Sequence, residues 1–267
     1  MLLVGSAALL PTRKLHSSFA TYSDMIAADS IYYGCLDDDY DYNGNNIFGE
    51  IGDGFDGGDV DLVAELYVGR FPVGSAIELA RMVRKTLAYE EAPADQLQRT
   101  AAIGEYLGFG GVVDYATESL EQLKWGVPNT GFPSLGFMNP TYSNFFDVTT
   151  DLYDAPPSYR WPKSEMLALF NQDIHVFNHL GHGAAKVCFK IDGRLFADQQ
   201  ALLALTNALP FFAYSQACDS GSFDTVDNCF AQQLVTAPYA AVAAVKASGL
   251  RGRGGAAFPA HIKWRTV

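Results

Sequence analysis

The chain has 267 residues, 49% of them hydrophobic and 18% charged, a composition that fits a globular protein with a full core and does not indicate disorder. Its formal net charge of −12 argues against nucleic acid and anionic membrane as partners, and suits cation binding or attraction of basic substrates. No run approaches the ~20 apolar residues of a membrane span. The four cysteines, Cys35, Cys188, Cys218 and Cys229, are too few and too scattered for a disulfide framework, and no CxxC spacing indicates zinc.

The first element is the apolar run MLLVGSAALLP. It lacks a basic leading segment and an evident small-residue cleavage site, and its apolar stretch is short. We therefore predict a core strand here rather than a signal peptide.

Residues 36–61 are acidic and rich in glycine and asparagine, which predicts a long loop. Part of the loop matches D-x-D-x-N-G-x5-E, the ligand spacing of an EF-hand, with Gly44 at the sharp turn. The flanking residues are not helical in pattern, so we expect an EF-like loop rather than a helix–loop–helix sensor. The alternative is a solvated turn, but many carboxylates in a short loop are costly without a cation. The predicted ligands of a structural Ca²⁺ are Asp37, Asp39, Asp41, Asn43, Asn45 and Glu50.

A strand near 66–71 and a helix that begins at a capping box, Ser75 with Glu78, complete the first α/β unit. The polar stretch 90–99, which contains Pro93, is typical of a linker. We therefore predict a partial N-terminal α/β subdomain over 1–95, a second subdomain over 96–245 and a tail over 246–267.

The second unit alternates strands and helices. The predicted strands are 100–103, 174–180, 211–216 and 239–245, and the predicted helices are 115–124, 163–171 and 197–207, with a Pro/Gly/Asn-rich excursion up to 161. Such alternation predicts an α/β fold with a mostly parallel sheet and helices on both faces. In such sheets reactive groups gather beyond the carboxyl ends of the strands.

Two of these strands end at reactive side chains. Strand 174–180 runs into Gly181, His182 and Gly183, and strand 211–216 runs towards Cys218. A thiol beside an imidazole makes a nucleophile with its base, because the thiolate attacks and the imidazole later protonates a leaving amine. Gly183 would let a backbone N–H approach an oxyanion closely. The alternative is a buried structural cysteine and a turn histidine.

The stretches NHLGHG, LTNALPFFAYSQACDSGSF and NCFAQQL resemble the catalytic core of the gingipain-type cysteine peptidases, a family with a caspase-like fold. The resemblance continues upstream through YYGCLDDDYDYNGNNIFGE and ELYVGRFPV and covers most of residues 1–245. It implies a caspase-like sheet in two subdomains, the first incomplete, a Cys–His dyad of Cys218 and His182, and peptide or protein substrates. It further implies calcium, no organic cofactor and a secreted or cell-surface location. Because family members extend further, we expect truncation at both ends.

The resemblance also assigns two acidic residues. Glu105 matches the acid that neighbours the catalytic histidine, and Asp114 matches the acid at the base of the S1 pocket, which implies cleavage after Arg or Lys. The loop between them departs from the family pattern. The remaining histidines and cysteines near the site are expected to be structural: His175, His179, Cys35, Cys188 and Cys229.

The tail KASGLRGRGGAAFPAHIKW resembles the glycine-rich nucleotide-binding loop of the flavin-bearing subunit of NADH dehydrogenase. We interpret it as a foreign or disordered tail. Three hypotheses follow: a cysteine endopeptidase, a catalytically inactive truncated calcium-binding α/β module, and, from the tail alone, a flavoprotein fragment.

Overall fold

The computed structural model describes residues 1–19, 22–127, 133–138 and 148–246. The chain forms two compact units. The first comprises residues 1–75 with 222–227, and the second comprises 76–221 with 228–246. The sequence placed a boundary near residue 95, whereas the compact units divide between Ser75 and Ala76.

The first unit contains two small sheets. Strand β1 (Leu2–Val4) pairs in parallel with β4 (Gly69–Phe71), and β2 (Lys14–Phe19) pairs antiparallel with β3 (Tyr22–Ala27), ahead of a short helix α1 (Asp29–Tyr32). The strand predicted at the start of the chain is therefore present, whereas the β2–β3 hairpin was not predicted. Residues 36–61 contain no strand or α-helix, as the composition indicated.

The second unit is built on a five-stranded parallel sheet in the order β11-β10-β7-β5-β6. Its strands are β5 (Arg99–Gly104), β6 (Val148–Tyr153), β7 (Val176–Leu180), β10 (Phe211–Gln216) and β11 (Ala241–Lys246). The predicted parallel sheet is confirmed, and so is the expectation that the strands leading to His182 and Cys218 are neighbours. A small antiparallel pair, β8 (Val187–Cys188) with β9 (Ile191–Asp192), follows β7.

Six helices accompany the sheet among the described residues of this unit: α2 (Ala76–Glu90), α3 (Ala94–Leu97), α4 (Thr117–Trp125), α5 (Lys163–Phe170), α6 (Phe196–Leu203) and α7 (Phe230–Thr236). Helix α2 packs against α7 and β11 through the buried Lys85. Its ammonium donates to the carbonyl oxygens of Val235, Ala237 and Tyr239 at 2.5, 3.0 and 3.1 Å, and so satisfies free carbonyls at and after the end of α7. This contact explains why α2 belongs to the second unit.

Aromatic packing holds the centre of the sheet. Phe177 of β7 lies 4.7 Å from Phe211 of β10 and 5.2 Å from Phe170 of α5, measured between ring centroids, and all three are fully buried. Along β7 the buried residues alternate, as the period of two requires, so that Phe177 and His179 share the buried face. The aromatic cluster thus forms part of the core on the buried face of β7.

Candidate active site

Strand register brings the predicted nucleophile and base to the same level. Leu180 at the end of β7 is aligned with Gln216 of β10, and Cys218 and His182 each lie two residues beyond this pair. On the other side of β7, Leu180 is aligned with Gly104 of β5. Three chain segments therefore leave the sheet side by side, and the histidine segment lies between the other two.

Gly183 lies against the backbone of the cysteine segment. A Cβ at this position would come 2.6 Å from the carbonyl oxygen of Cys218 and 2.8 Å from Cβ of Ala217, closer than side-chain atoms approach. Asp219 follows Cys218 with φ +50°, in the left-handed region used by tight turns. The histidine and cysteine turns are therefore in direct contact, and the Cys218 residue is half-buried.

The His182 ring is held by a backbone carbonyl. Its Nε2 lies 3.0 Å from the carbonyl oxygen of Tyr106, the second residue after β5. A carbonyl oxygen only accepts hydrogen bonds, so Nε2 carries the proton and donates. The neutral ring therefore keeps its lone pair on Nδ1.

Asp154 fixes Tyr106 in turn. This buried carboxylate follows β6 directly and accepts the N–H of Tyr106 at 2.9 Å through Oδ2. Its Oδ1 accepts the N–H of Trp161 at 2.9 Å and the ammonium of Lys190 at 2.6 Å. Sequence reasoning missed both Tyr106 and Asp154. A carboxylate directly after a strand is a recognisable signal, but β6 was itself not predicted.

Glu105 is buried next to the site and contacts two histidines. Its Oε1 lies 3.0 Å from Nε2 of His179, and its Oε2 accepts the backbone N–H of His182 at 3.4 Å. Glu105 thus neighbours His182, as the family resemblance implies, but through the backbone; the His182 ring contacts the carbonyl oxygen of Tyr106. The carboxylate contacts the turn that carries His182 through the backbone of that turn.

His179 is the centre of a buried polar cluster. Its Nδ1 lies 2.8 Å from Oγ of Ser215, the residue aligned with it on β10, and 3.6 Å from Sγ of Cys188. Burial alone lowers the pKa of the imidazole, but the contacts with Cys188 and Glu105 outweigh it and raise the pKa of His179 to about 9. The cluster therefore holds a protonated imidazole beside the Glu105 carboxylate at neutral pH.

Asp114 lies on the loop that begins at Tyr106. Its side chain is half-buried and accepts the N–H of Gly110 at 3.0 Å, while its backbone carbonyl accepts the N–H of Leu107 at 2.7 Å. Gly108, Gly110 and Gly111 all have positive φ, which explains the glycine-rich sequence of this loop. The loop places Asp114 near the segment that holds His182, without enclosing the carboxylate.

The predicted calcium ligands lie in the first unit and contact one another only in part. Asn45 donates to Glu50 at 2.6 Å, the Asp41 carboxylate accepts the backbone N–H of Asn46 at 3.2 Å, and Asn43 donates to the buried Asp53 at 2.8 Å. Gly44 has φ +71°, as the sharp turn at this position requires. The donor chemistry of this segment is the oxygen-rich kind that suits a hard cation.

Two further predicted ligands are Asp37 and Asp39. Asp39 is exposed, and Asp37 belongs with Cys35 and Asp61 to a group whose ligand atoms lie within 4.8 Å of one another. In the described part of the chain this is the one such group of thiol, imidazole and carboxylate side chains, and it shares only Asp37 with the predicted ligand set. A thiolate is a poor Ca²⁺ ligand, so this group does not by itself supply the predicted site.

A family-wide sequence profile, peptidase family C25, matches residues 1–262. A comparison with curated proteins gives no significant match. Similar solved structures are the Arg-specific cysteine proteinase gingipain R, a structure described only as a protease, and the complex of the Porphyromonas gingivalis RgpB pro- and mature domains, with TM-scores of 0.59, 0.57 and 0.55. Each is 20% identical; they cover 91%, 92% and 94% of this chain, which covers 47%, 44% and 50% of theirs.

The structural likeness establishes the fold: the parallel sheet with its helices is the caspase-like α/β fold of gingipain. The chain spans about half the length of the structures it matches. The profile match extends to residue 262 and so covers most of the tail that we interpreted as foreign, and nothing supports the resemblance to NADH dehydrogenase. Residues 247–267 lie outside the described part of the chain. None of the described helices is long and apolar enough to cross a membrane.

Proposed function

Because the chain belongs to peptidase family C25, we propose that it is a cysteine endopeptidase in which Cys218 is the nucleophile and His182 its base. One observation carries the proposal above the others: the register of β7 and β10 brings the two residues to one level, with Gly183 packed against the backbone of Cys218. The substrates are peptides or proteins.

The first half of the reaction forms an acyl-enzyme. Nδ1 of His182 takes the thiol proton, and the thiolate of Cys218 attacks the scissile carbonyl carbon, so that a C–S bond forms and the carbonyl electrons move to oxygen. The N–H groups of Gly183 and Cys218 stabilise this oxyanion. When the oxyanion collapses, the C–N bond breaks and the imidazolium gives its proton to the leaving amine.

The second half regenerates the enzyme. Water attacks the thioester while Nδ1 accepts one of its protons, the C–S bond breaks, and the acid product leaves. The Tyr106 carbonyl holds Nε2 throughout, so Nδ1 takes up and returns the proton without a change of tautomer. Glu105 supports this arrangement through the backbone N–H of His182.

We propose a preference for Arg or Lys before the scissile bond, with Asp114 as the carboxylate that pairs with the substrate cation. Its position on the loop that follows Tyr106, and the net charge of −12, support the proposal. The guanidinium of Arg160 lies 4.2 Å from the centroid of the Tyr106 ring and 5.3 Å from that of Tyr115, and would oppose a second cation nearby. Peptide profiling is therefore the direct test.

We also propose that Ca²⁺ stabilises the first unit, with Asp39, Asp41, Asn43, Asn45 and Glu50 as ligands and Asp37 at the margin. The EF-hand spacing and the positive φ of Gly44 support this assignment. The ion would supply charge neutralisation in an acidic segment and takes no part in the reaction. A secreted or cell-surface location, which the family resemblance implies, is the corresponding proposal for localisation.

A thiol-directed probe tests the function. A fluorescent peptidyl chloromethyl ketone with Arg at its reactive end should label the wild-type chain, and labelling should disappear in Cys218→Ala and fall strongly in His182→Ala. Cys35→Ala is the matched control, because Cys35 is half-buried in the first unit and should leave labelling unchanged. Labelling of Cys218 that does not depend on His182, or absent labelling, would favour a catalytically inactive calcium-binding module.

A further inference from the structure

A buried polar cluster lies directly beside the turn that carries His182. At its centre the His179 side chain has no exposed surface and contacts Glu105 through Nε2 and Ser215 through Nδ1, at 3.0 and 2.8 Å. Cys188 approaches Ser215 from β8, with 3.3 Å between Sγ and Oγ. Apolar residues of the same volume would pack this space without the desolvation of a charged pair. The cluster therefore calls for a role beyond packing.

The chemistry of the side chains determines which groups donate and which accept in the cluster. An ionised Glu105 carboxylate offers only acceptors, so Nε2 of His179 donates to it. The second carboxylate oxygen accepts the N–H of His182. Glu105 is thus held between the ring of one histidine and the backbone of the other.

The close approach of Gly181 couples this pair to the catalytic turn. A Cβ at Gly181 would lie 2.5 Å from both Nε2 of His179 and Cδ of Glu105, so the backbone passes over the pair with no space to spare. We propose that His179 is a positioning residue, which locks the Glu105 carboxylate against residues 181–183 and so fixes the His182 ring relative to Cys218. This inference rests on the proposed peptidase function. His179 itself would contact no substrate atom.

Variants of His179 distinguish a role in positioning His182 from a role in core packing alone. His179→Leu removes both hydrogen bonds, whereas the side-chain amide of His179→Gln can still donate to Glu105. If His179 positions His182, we expect His179→Leu to lower kcat about 10- to 100-fold with KM changed less than about twofold, because small misplacements of a base have large kinetic effects. His179→Gln should recover most of the loss. Phe177→Leu, on the same face of β7, should lower Tm without changing kcat.

A second readout needs no peptide. The pH profile of Cys218 alkylation by iodoacetamide reports the thiol's interaction with His182, and we expect its inflection to move to higher pH in His179→Leu and to return in His179→Gln. Should the Leu variant not fold, Ser215→Ala removes only the Nδ1 partner and should give a smaller shift in the same direction.

The outcomes separate the two proposals. Wild-type kcat and an unchanged alkylation profile in a folded His179→Leu variant, or in Ser215→Ala if the Leu variant does not fold, would overturn the positioning role while leaving the peptidase intact. A wild-type chain whose Cys218 reacts no differently from free cysteine would overturn the proposed function, and the positioning role with it.

Discussion

His182 and Tyr106 are joined by a 3.0 Å hydrogen bond from the ring Nε2 to the backbone carbonyl oxygen, which leaves Nδ1 as the basic nitrogen. Because the acceptor is a backbone carbonyl, the orientation of the His182 ring depends on the backbone of the segment after β5 and not on the side chain of Tyr106. That backbone is fixed by Asp154 through the N–H of Tyr106. The orientation of the His182 ring is therefore set by the segments that follow β5, β6 and β7 rather than by the side chains of the proposed dyad alone.

The dyad itself gives the first prediction. Cys218→Ala and His182→Ala should each lower kcat for a peptide substrate by about a thousandfold or more, because one removes the nucleophile and the other its base. The double variant should be no worse than Cys218→Ala, since residues that act as a unit do not contribute additively. Circular dichroism should show a retained fold. Full turnover by Cys218→Ala would refute the assignment.

Gly183 gives the second prediction. Gly183→Ala should lower both activity and stability, because the added Cβ meets the Cys218 carbonyl oxygen at 2.6 Å and the backbone must move. We expect a loss of about 1–3 kcal/mol in the free energy of unfolding, measured by urea titration, and a fall in kcat. Gly69→Ala is the control, since its Cβ would meet only Leu2 at 4.0 Å. Equal effects in the two variants would contradict the close packing of the turns.

The sequence predicts most of the alternating strands and helices of the second unit. Alternating apolar runs and helical periods located β5, β7, β10 and β11, and the position of His182 and Cys218 beyond neighbouring strands followed from that alternation. Strand β6 was missed because it is an edge strand within a Pro/Gly/Asn-rich segment, where composition favours a loop.

Side-chain partners could not be derived from strand order. Glu105 was expected to neighbour His182, but its contact with the ring of His179 was not foreseen; the period of two puts His179 on the buried face where the carboxylate lies. His179 was expected to be structural, and the contacts that suggest a positioning role depend on Ser215 and Cys188, which come from two other strands. Three-dimensional convergence of this kind leaves no local pattern in the sequence.

Calcium removal gives the third prediction. Adding EGTA to the calcium-loaded chain should lower Tm by about 5 °C or more, because an ion bound only by the native loop stabilises it by mass action. Replacing Asp39 and Asp41 together by Ala should reproduce the lower Tm and abolish the chelator effect. Asp173→Ala, an exposed acid of the second unit, should leave both unchanged. A chelator shift of the same size in the double variant would place the ion elsewhere.

The pH dependence of stability gives the fourth prediction. The pKa of His179 is raised from 6.5 to about 9 in the folded chain, so its stabilising contribution is complete below pH 6.5 and is lost as pH rises to about 9. Burial, with Arg84 and Arg81, lowers the pKa of Lys85 from 10.5 to about 7, so stability rises between these values, and this opposes the effect of His179 where the two ranges overlap. The quantity to measure is therefore the difference in unfolding free energy between wild type and His179→Gln.

That difference should shrink from pH 6.5 to pH 9, as the wild type loses the proton that Glu105 and Cys188 favour on His179. His175→Gln, four residues earlier in the chain, is the control. Burial lowers the pKa of His175, so its effect should be confined to pH below 6.5 and should grow as the pH falls. A difference independent of pH in the His179 variant would mean that the buried ring does not titrate in this window.

Substrate preference gives the last prediction, and it concerns Asp114. If its carboxylate pairs with a substrate cation, kcat/KM should be about 10- to 100-fold higher for a peptide with Arg or Lys before the scissile bond than for the Ala analogue, and Asp114→Asn should remove most of this preference. The isosteric amide can keep the hydrogen bond that Oδ1 accepts from Gly110, so the loop should stay in place and only the charge is lost. Arg160→Ala is the complementary variant: if its guanidinium, close to the rings of Tyr106 and Tyr115, repels the substrate cation, this variant should raise kcat/KM for the Arg peptide. Preference for an acidic residue, lost in Arg160→Ala, would instead make Arg160 the specificity residue and show that Asp114 serves only to shape the glycine-rich loop.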